Sequence, residues 1–266
     1  MYIEFILKKG ILCEATIDHR QHSITVSRSG VKLEIPPGAV TSGKRKYVYV
    51  GVSWVDADRC NSIDGKRRVS PVVVCGPPGT KFNKPVILSF PHCVKYDEDQ
   101  PCPLKVLWKN TNGGKRGGDK WTECSDEDTT LRVAIGENRC VVYTEHFTKY
   151  TCVCEQVDHP HEYLRLSVMA YHTVRSLTMP INVRVYIGNA NPDEKEYIKR
   201  EERDLRGTIS DSTKFINLHG NSDLHINVEV ESEGYQCKGD DNRNRWKYIA
   251  LRITRNGKSW FAIVSS

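Results

Sequence analysis

Three adjacent residues, His146, Phe147 and Thr148, set an imidazole, a bulky apolar side chain and a hydroxyl nucleophile in immediate succession. They lie inside residues 140–155, CVVYTEHFTKYTCVCE. With His146 as base, the Thr148 hydroxyl could attack the Phe147 carbonyl; water would then hydrolyse the ester, cutting the chain once. Two β-prone runs, 140–143 and 150–154, flank the triplet. They predict paired strands whose tight bend could hold that peptide bond under strain. The same residues also read as an ordinary hairpin turn, with Phe147 tucked into the core and His146 at the surface. The tripeptide alone leaves both readings open.

Other candidate chemistry is sparse. Cys152 and Cys154 share one face of a strand and would supply half a metal site, but no second CxxC or His pair stands at ligand spacing. Asp56 and Asp58 lack the glycine and terminal glutamate of a helix-loop-helix calcium site. The sequence contains no Gly-rich phosphate loop and no nucleophile elbow, and its histidines fit surface or packing roles. No metal and no cofactor are expected. Ten cysteines spread from Cys13 to Cys237 without a targeting segment read as reduced core thiols.

With 38% hydrophobic residues in 266, the chain can bury one large core or two ordinary ones. No apolar run approaches the ~20 residues that cross a bilayer, so this stretch is expected to be cytoplasmic. The formal charge of +6 includes small basic clusters at 44–46, 66–68 and 115–116. Each sits in a turn-rich stretch without stacking aromatics, which favours solvated loops over a nucleic-acid site.

The elements that must position the triplet are mostly strands. Val31, Leu33 and Ile35 alternate onto one face, and Pro36-Pro37-Gly38 stops that strand. Residues 47–54 form another. Residues 70–79 and 84–90 read as neighbouring strands around a rigid Gly-Pro-Pro-Gly turn, and 104–109 and 120–123 as two strands around a long Gly-rich loop. With 131–135 and 141–143 added, short strands punctuated by Gly and Pro indicate a β-sandwich over 12–157. A polar hinge at 158–162 then leads to a second series, 163–169, 181–187, 214–218, 224–230, 246–254 and 260–264. These predict a second β-sandwich over 160–266. One helix is expected near 192–205, capped by Asn191 and packing through Tyr197, Ile198 and Leu205, with its other face charged. The fold class is therefore all-β, two consecutive β-sandwiches, the second with one α-helix.

The segments SGVKLEIPPGAV (29–40), SPVVVCGPPGTKFNKPVILSFPHC (70–93) and CVVYTEHFTKY (140–150) together resemble a ZU5 domain. This is the sandwich named for zonula occludens proteins and uncoordinated-family netrin receptors. The Pro-Gly turns resemble the netrin-receptor version more than the ankyrin one. The second half, notably LRLSVMAYHT (164–173), INVRVYIGN (181–189) and FINLHGNSDLHINVEV (215–230), is similar to the UPA domain that follows ZU5 in netrin receptors, ankyrins and PIDD.

The resemblance implies a cytoplasmic signalling module that works by packing against protein partners, such as death-domain proteins or its own flanking domains. This stretch has neither a transmembrane segment nor a death domain, so it is expected to be a fragment of a longer receptor or a stand-alone adaptor. Two alternatives come with the resemblance. PIDD and the FIIND module cleave themselves before a serine, PIDD within His-Phe-Ser, which would make His146 the base, Phe147 the carbonyl donor and Thr148 the serine's replacement. An ankyrin-like linker would instead bind spectrin through a basic face at 44–46 or 66–68.

Overall fold

The computed structural model describes residues 2–7, 9–58, 62–95, 103–109, 120–124, 131–155, 163–173, 182–209, 214–219, 225–231, 248–255 and 258–265. The Gly-rich loop at 110–118, the basic pair Lys115–Arg116 and the hinge at 158–162 lie outside them.

Among the described residues, fourteen strands make the first unit. They are β1 (Tyr2–Leu7), β2 (Gly10–Ile17), β3 (His22–Val26), β4 (Val31–Ile35), β5 (Lys46–Ser53), β6 (Ser62–Ile63), β7 (Lys66–Arg68), β8 (Val73–Gly76), β9 (Lys81–Pro91), β10 (Leu104–Lys109), β11 (Trp121–Glu123), β12 (Leu131–Ile135), β13 (Arg139–His146) and β14 (Lys149–Cys154). One sheet runs β1-β2-β5-β8-β14-β10-β11, with β7 pairing β14 and β6; the other runs β12-β13-β9-β4-β3. Alternation places Val31, Leu33 and Ile35 of β4 and Val86, Leu88 and Phe90 of β9 inward. They share one core with Val48, Val50 and Val52 of β5 and Tyr150 and Cys152 of β14. The expected sandwich is present.

Two neighbour relations differ from expectation. β8 and β9 do not pair: β8 bonds β5 and β14, whereas β9 bonds β13 and β4 in the opposite sheet. The Pro77–Thr80 turn between them, closed by Thr80 N–H donating to Pro77 O at 3.1 Å, carries the chain across the sandwich rather than back along one sheet. β13 and β14 are likewise in different sheets, so the His-Phe-Thr step is a crossover and not a hairpin bend. Gly76 is required by its cross-strand partner. Tyr49 lies over it so closely that a Cβ there would sit 2.0 Å from the ring, so Gly76 leaves the ring room to cover the strand.

The second unit begins with β15 (Tyr163–Thr173) and β16 (Asn182–Asn189), followed by α1 (Pro192–Asp204), β17 (Thr208–Ile209), β18 (Lys214–His219), β19 (His225–Glu231), β20 (Tyr248–Arg255) and β21 (Lys258–Ser265). Among the described residues β15 is flanked by β16 on one side and by β17 and β18 on the other, leaving β16 at an edge; β19-β20-β21 form a separate three-stranded sheet. Ile198 of α1 packs with Met169 and Tyr171 of β15, and Tyr186 and Tyr197 lie against this cluster. The helix differs from the expected apolar stripe. Leu205 is exposed, while Asp193, Glu196 and Glu202 are buried. Glu202 can go inside because Arg184 bonds it through Nε at 2.7 Å and Nη2 at 2.6 Å, and the Tyr186 hydroxyl donates to it. Burial pushes its carboxyl up, but those donors and the Arg184 charge outweigh that and hold it below the usual carboxylate range.

Candidate functional site

The crossover is built by opposed hydrogen bonding. A register irregularity between Thr144 and His146 ends the regular β13–β9 ladder. The Thr144 hydroxyl donates to His146 O at 2.9 Å, and the buried Tyr150 hydroxyl lies 3.0 Å from the Thr144 hydroxyl and 3.1 Å from the same carbonyl. Phe147 N–H then donates to Thr80 O, and Thr148 O accepts from Cys75 N–H. The two residues of the candidate bond are thus tied to the two ends of the Gly-Pro-Pro-Gly turn. The Phe147 ring is fully buried, edge-on to Phe82 with centroids 4.8 Å apart.

His146 and Thr148 are close in the chain but engaged with different partners. The His146 ring packs edge-on to Trp108, with centroids 6.0 Å apart. The Thr148 hydroxyl donates to Lys109 O. Among the described residues, that carbonyl and not the His146 ring receives the hydroxyl hydrogen. A carbonyl can orient the hydroxyl but cannot take its proton, so self-cleavage would need the Thr148 hydroxyl to turn toward His146.

A second constellation, which no sequence motif announces, joins the two units. Val94 bridges Leu164, and Arg165 N–H donates to Cys93 O at 2.7 Å, so the segment just after β9 pairs antiparallel with the start of β15. Asn189 Nδ2 donates to Arg68 O and Asn191 Nδ2 to Val69 O, at 3.1 and 3.3 Å. Asn191 was expected to cap α1; it stands at the cap position but makes no side-chain cap hydrogen bond. Its amide serves the neighbouring unit instead. Arg28 Nη1 meets Glu196 Oε1 at 3.0 Å, and Trp54 lies edge-on to Tyr197 at 5.6 Å.

Asp193 is the anomalous member. It is buried, its Oδ1 has no hydrogen-bond partner among the described residues, and burial, aided by the Glu194 charge and opposed by Arg68, pushes its carboxyl up to about 7.

Other sequence candidates resolve as structure. The 66–68 cluster is strand β7 rather than a solvated loop. Arg68 is buried, donating to Ser70 O, and Lys66 pairs with Glu123 and Glu155. Asp58 receives the Ser53 hydroxyl at 2.6 Å and the Lys149 ammonium at 2.7 Å. Cys13, Cys75, Cys93, Cys124, Cys140 and Cys152 are free thiols. Burial pushes Cys13 and Cys93 up to about 12, so these two are held as unreactive thiols at neutral pH. Cys154 departs from the reduced reading: it is disulfide-bonded, and its partner lies outside the described residues.

Comparison with known proteins reaches part of the first unit. Residues 13–106 match the ZU5 domain. The chain is 28% identical over 229 residues to "UNC5C-like protein" of Mus musculus, spanning 85% of this chain and 42% of that protein. It is 26% identical over 216 residues to "Netrin receptor UNC5D" of Rattus norvegicus, covering 79% of this chain and 21% of the receptor, with the same coverage in Mus musculus. The chain therefore spans less than half the length of these relatives. The resemblance to ZU5 domains and to netrin receptors stands. The matched residues stop within β10, yet β14 lies between β8 and β10, so the first sandwich is closed by strands beyond the match. No helix among the described residues is long and apolar enough to cross a membrane.

Proposed function

We propose that this chain is a netrin-receptor-like interaction module, a ZU5 sandwich followed by a UPA-type unit, that acts inside the cell by packing and partner binding rather than by turnover. Its boundaries are those read from the sequence, 12–157 and 160–266. The observation that carries the reading is the joint between the units. It combines backbone bonding at Cys93 and Arg165, side-chain amides donating into the 68–69 backbone, and one ion pair. Such a mixed, partly polar contact can hold a closed arrangement and still be released by a competing partner, such as a death domain or a flanking domain.

Amide hydrogen exchange tests this. In wild type, residues 164–170 and 190–198 should exchange far more slowly than exposed backbone. Asn191→Ala with Trp54→Ala should accelerate them while the β4 and β9 amides stay protected. Fast exchange at 190–198 in wild type would remove the basis of the closed module.

Self-cleavage between Phe147 and Thr148 is the second reading, favoured by one feature of the topology. β14, which would begin the C-terminal piece, is bonded on both sides by β8 and β10 of the N-terminal piece. The pieces of a cut chain would stay together. Intact mass of freshly purified, denatured protein decides it: fragments meeting at Phe147–Thr148 that vanish in Thr148→Ala support the cut, and a single full-length species excludes it.

A further inference from the structure

A cavity of about 630 Å³ opens between β16, one face of α1 and the 3-10 turn Asp56–Asp58 of the ZU5 sandwich. Three features of its walls agree on one kind of occupant.

The first is a sheet edge. Among the described residues β16 pairs only with β15, and Ala190 N–H donates to Arg165 O just beyond the strand's end. Peptide groups alternate along a strand, so Ile187 presents its N–H and C=O, and Asn189 its N–H, away from β15, while Asn189 O accepts from the Ser167 hydroxyl of β15 at 3.5 Å. Both residues line the cavity. An edge of this kind accepts an added strand.

The second is charge. Among the described residues, Asp56, Glu194 and Glu201 line the cavity and no Lys, Arg or His does, in a chain whose formal charge is +6. Glu201 is exposed on α1. The third is apolar surface. Tyr197, Ile198 and Leu205 are on the same face of α1 as Glu194 and Glu201, and Tyr186 lies opposite. Aliphatic side chains can pack there, while guanidinium groups can reach both the carboxylates and the tyrosine rings.

We propose that this groove binds an extended basic peptide of a partner protein, added as a strand to the edge of β16, with alternate Arg or Lys side chains facing Glu201, Glu194 and Asp56. Because Asp56 belongs to the ZU5 sandwich and the rest to the second unit, the bound peptide touches both. The groove borders the joint and shares Asn189 and Tyr197 with it, but it lies apart from the Asn191 and Arg28 contacts.

The test is fluorescence anisotropy with three labelled eight-residue peptides on the full chain. One alternates arginine and valine, one alternates glutamate and valine, and one is the first with a central valine replaced by proline. The arginine peptide should bind wild type, and Glu201→Lys should weaken it at least tenfold. Glu201→Gln should weaken it by a smaller factor, and Glu137→Lys, on the exposed β12–β13 turn, should leave it unchanged. The glutamate and proline peptides should not bind, because one carries the wrong charge and the other removes a ladder donor. Circular dichroism of Glu201→Lys should match wild type. Absence of arginine-peptide binding to wild type, equal binding by Glu201→Lys, or equal binding of the proline peptide would each overturn the proposal.

Discussion

The first sandwich and the joint that follows it are both buried, but they bury different chemistry. Between the sheets of the sandwich lie Val31, Leu33, Val50, Leu88, Phe90 and Tyr150, with cysteines filling gaps as small apolar residues. Across the joint and under α1, Asp193, Asn191, Glu196 and Glu202 are buried beside the apolar Ile198, Met169, Val94 and Leu164. Apolar packing is non-directional, cannot be titrated and is lost only by emptying the core. Buried polar groups specify one arrangement, because each needs a particular partner, and they make that arrangement sensitive to charge. The contrast teaches that a chain can have one unit held as a fixed platform and a second held on it by contacts that solution conditions can weaken.

Emptying the platform should give the largest effect. Phe147→Ala removes a fully buried ring that touches Phe82 at the crossover, and should cost about 3–5 kcal/mol of stability in chemical denaturation. A loss under about 1 kcal/mol would mean that the crossover is not part of the sandwich core.

The pH response of Asp193 sharpens the other side of the comparison. Its carboxyl holds a proton more tightly when folded, at about 7, than when free, at 3.8. The stability it contributes is therefore complete below its free value and lost as pH rises through about 7. Asp193→Asn should equal wild type near pH 4 and gain on it steadily up to pH 8. There the variant should be more stable by something on the order of 2–4 kcal/mol in urea titrations at each pH. A variant less stable than wild type at pH 8 would show that the ionised carboxylate is compensated by Arg68 across the joint.

The Arg28–Glu196 contact should matter least. Arg28 is half exposed and shared between Glu196 and Glu4, so Arg28→Ala should cost less than about 1 kcal/mol, and the difference should fade in high salt. A larger loss that persists in salt would make this pair a main clasp between the units.

Local pattern made much of the fold legible. Val31, Leu33 and Ile35 alternate to the inside as read, residues 104–109 and 120–123 contain the paired strands β10 and β11, and α1 begins at Pro192 and ends one residue short of expectation. What alternation reports is which side of a strand is buried. It does not report which sheet the strand joins, because a partner is chosen by contacts far away in the chain. That is why β8 and β9, and β13 and β14, read as neighbours yet lie in opposite sheets. It is also why β14 could not be foreseen as the strand between β8 and β10.

The triplet His146-Phe147-Thr148 was visible as residue types at a spacing; that the Thr148 hydroxyl faces Lys109 O while His146 packs on Trp108 is tertiary. Asn191, Asp193 and Glu202 mark the limit most clearly. By residue type they belong at a helix cap and on a wet helix face, and sequence assigned them there. Only the neighbouring unit and Arg184, brought in by the fold, make their burial affordable, since a polar group goes inside where a partner from elsewhere in the chain meets it, or, as at Asp193, where it can hold a proton.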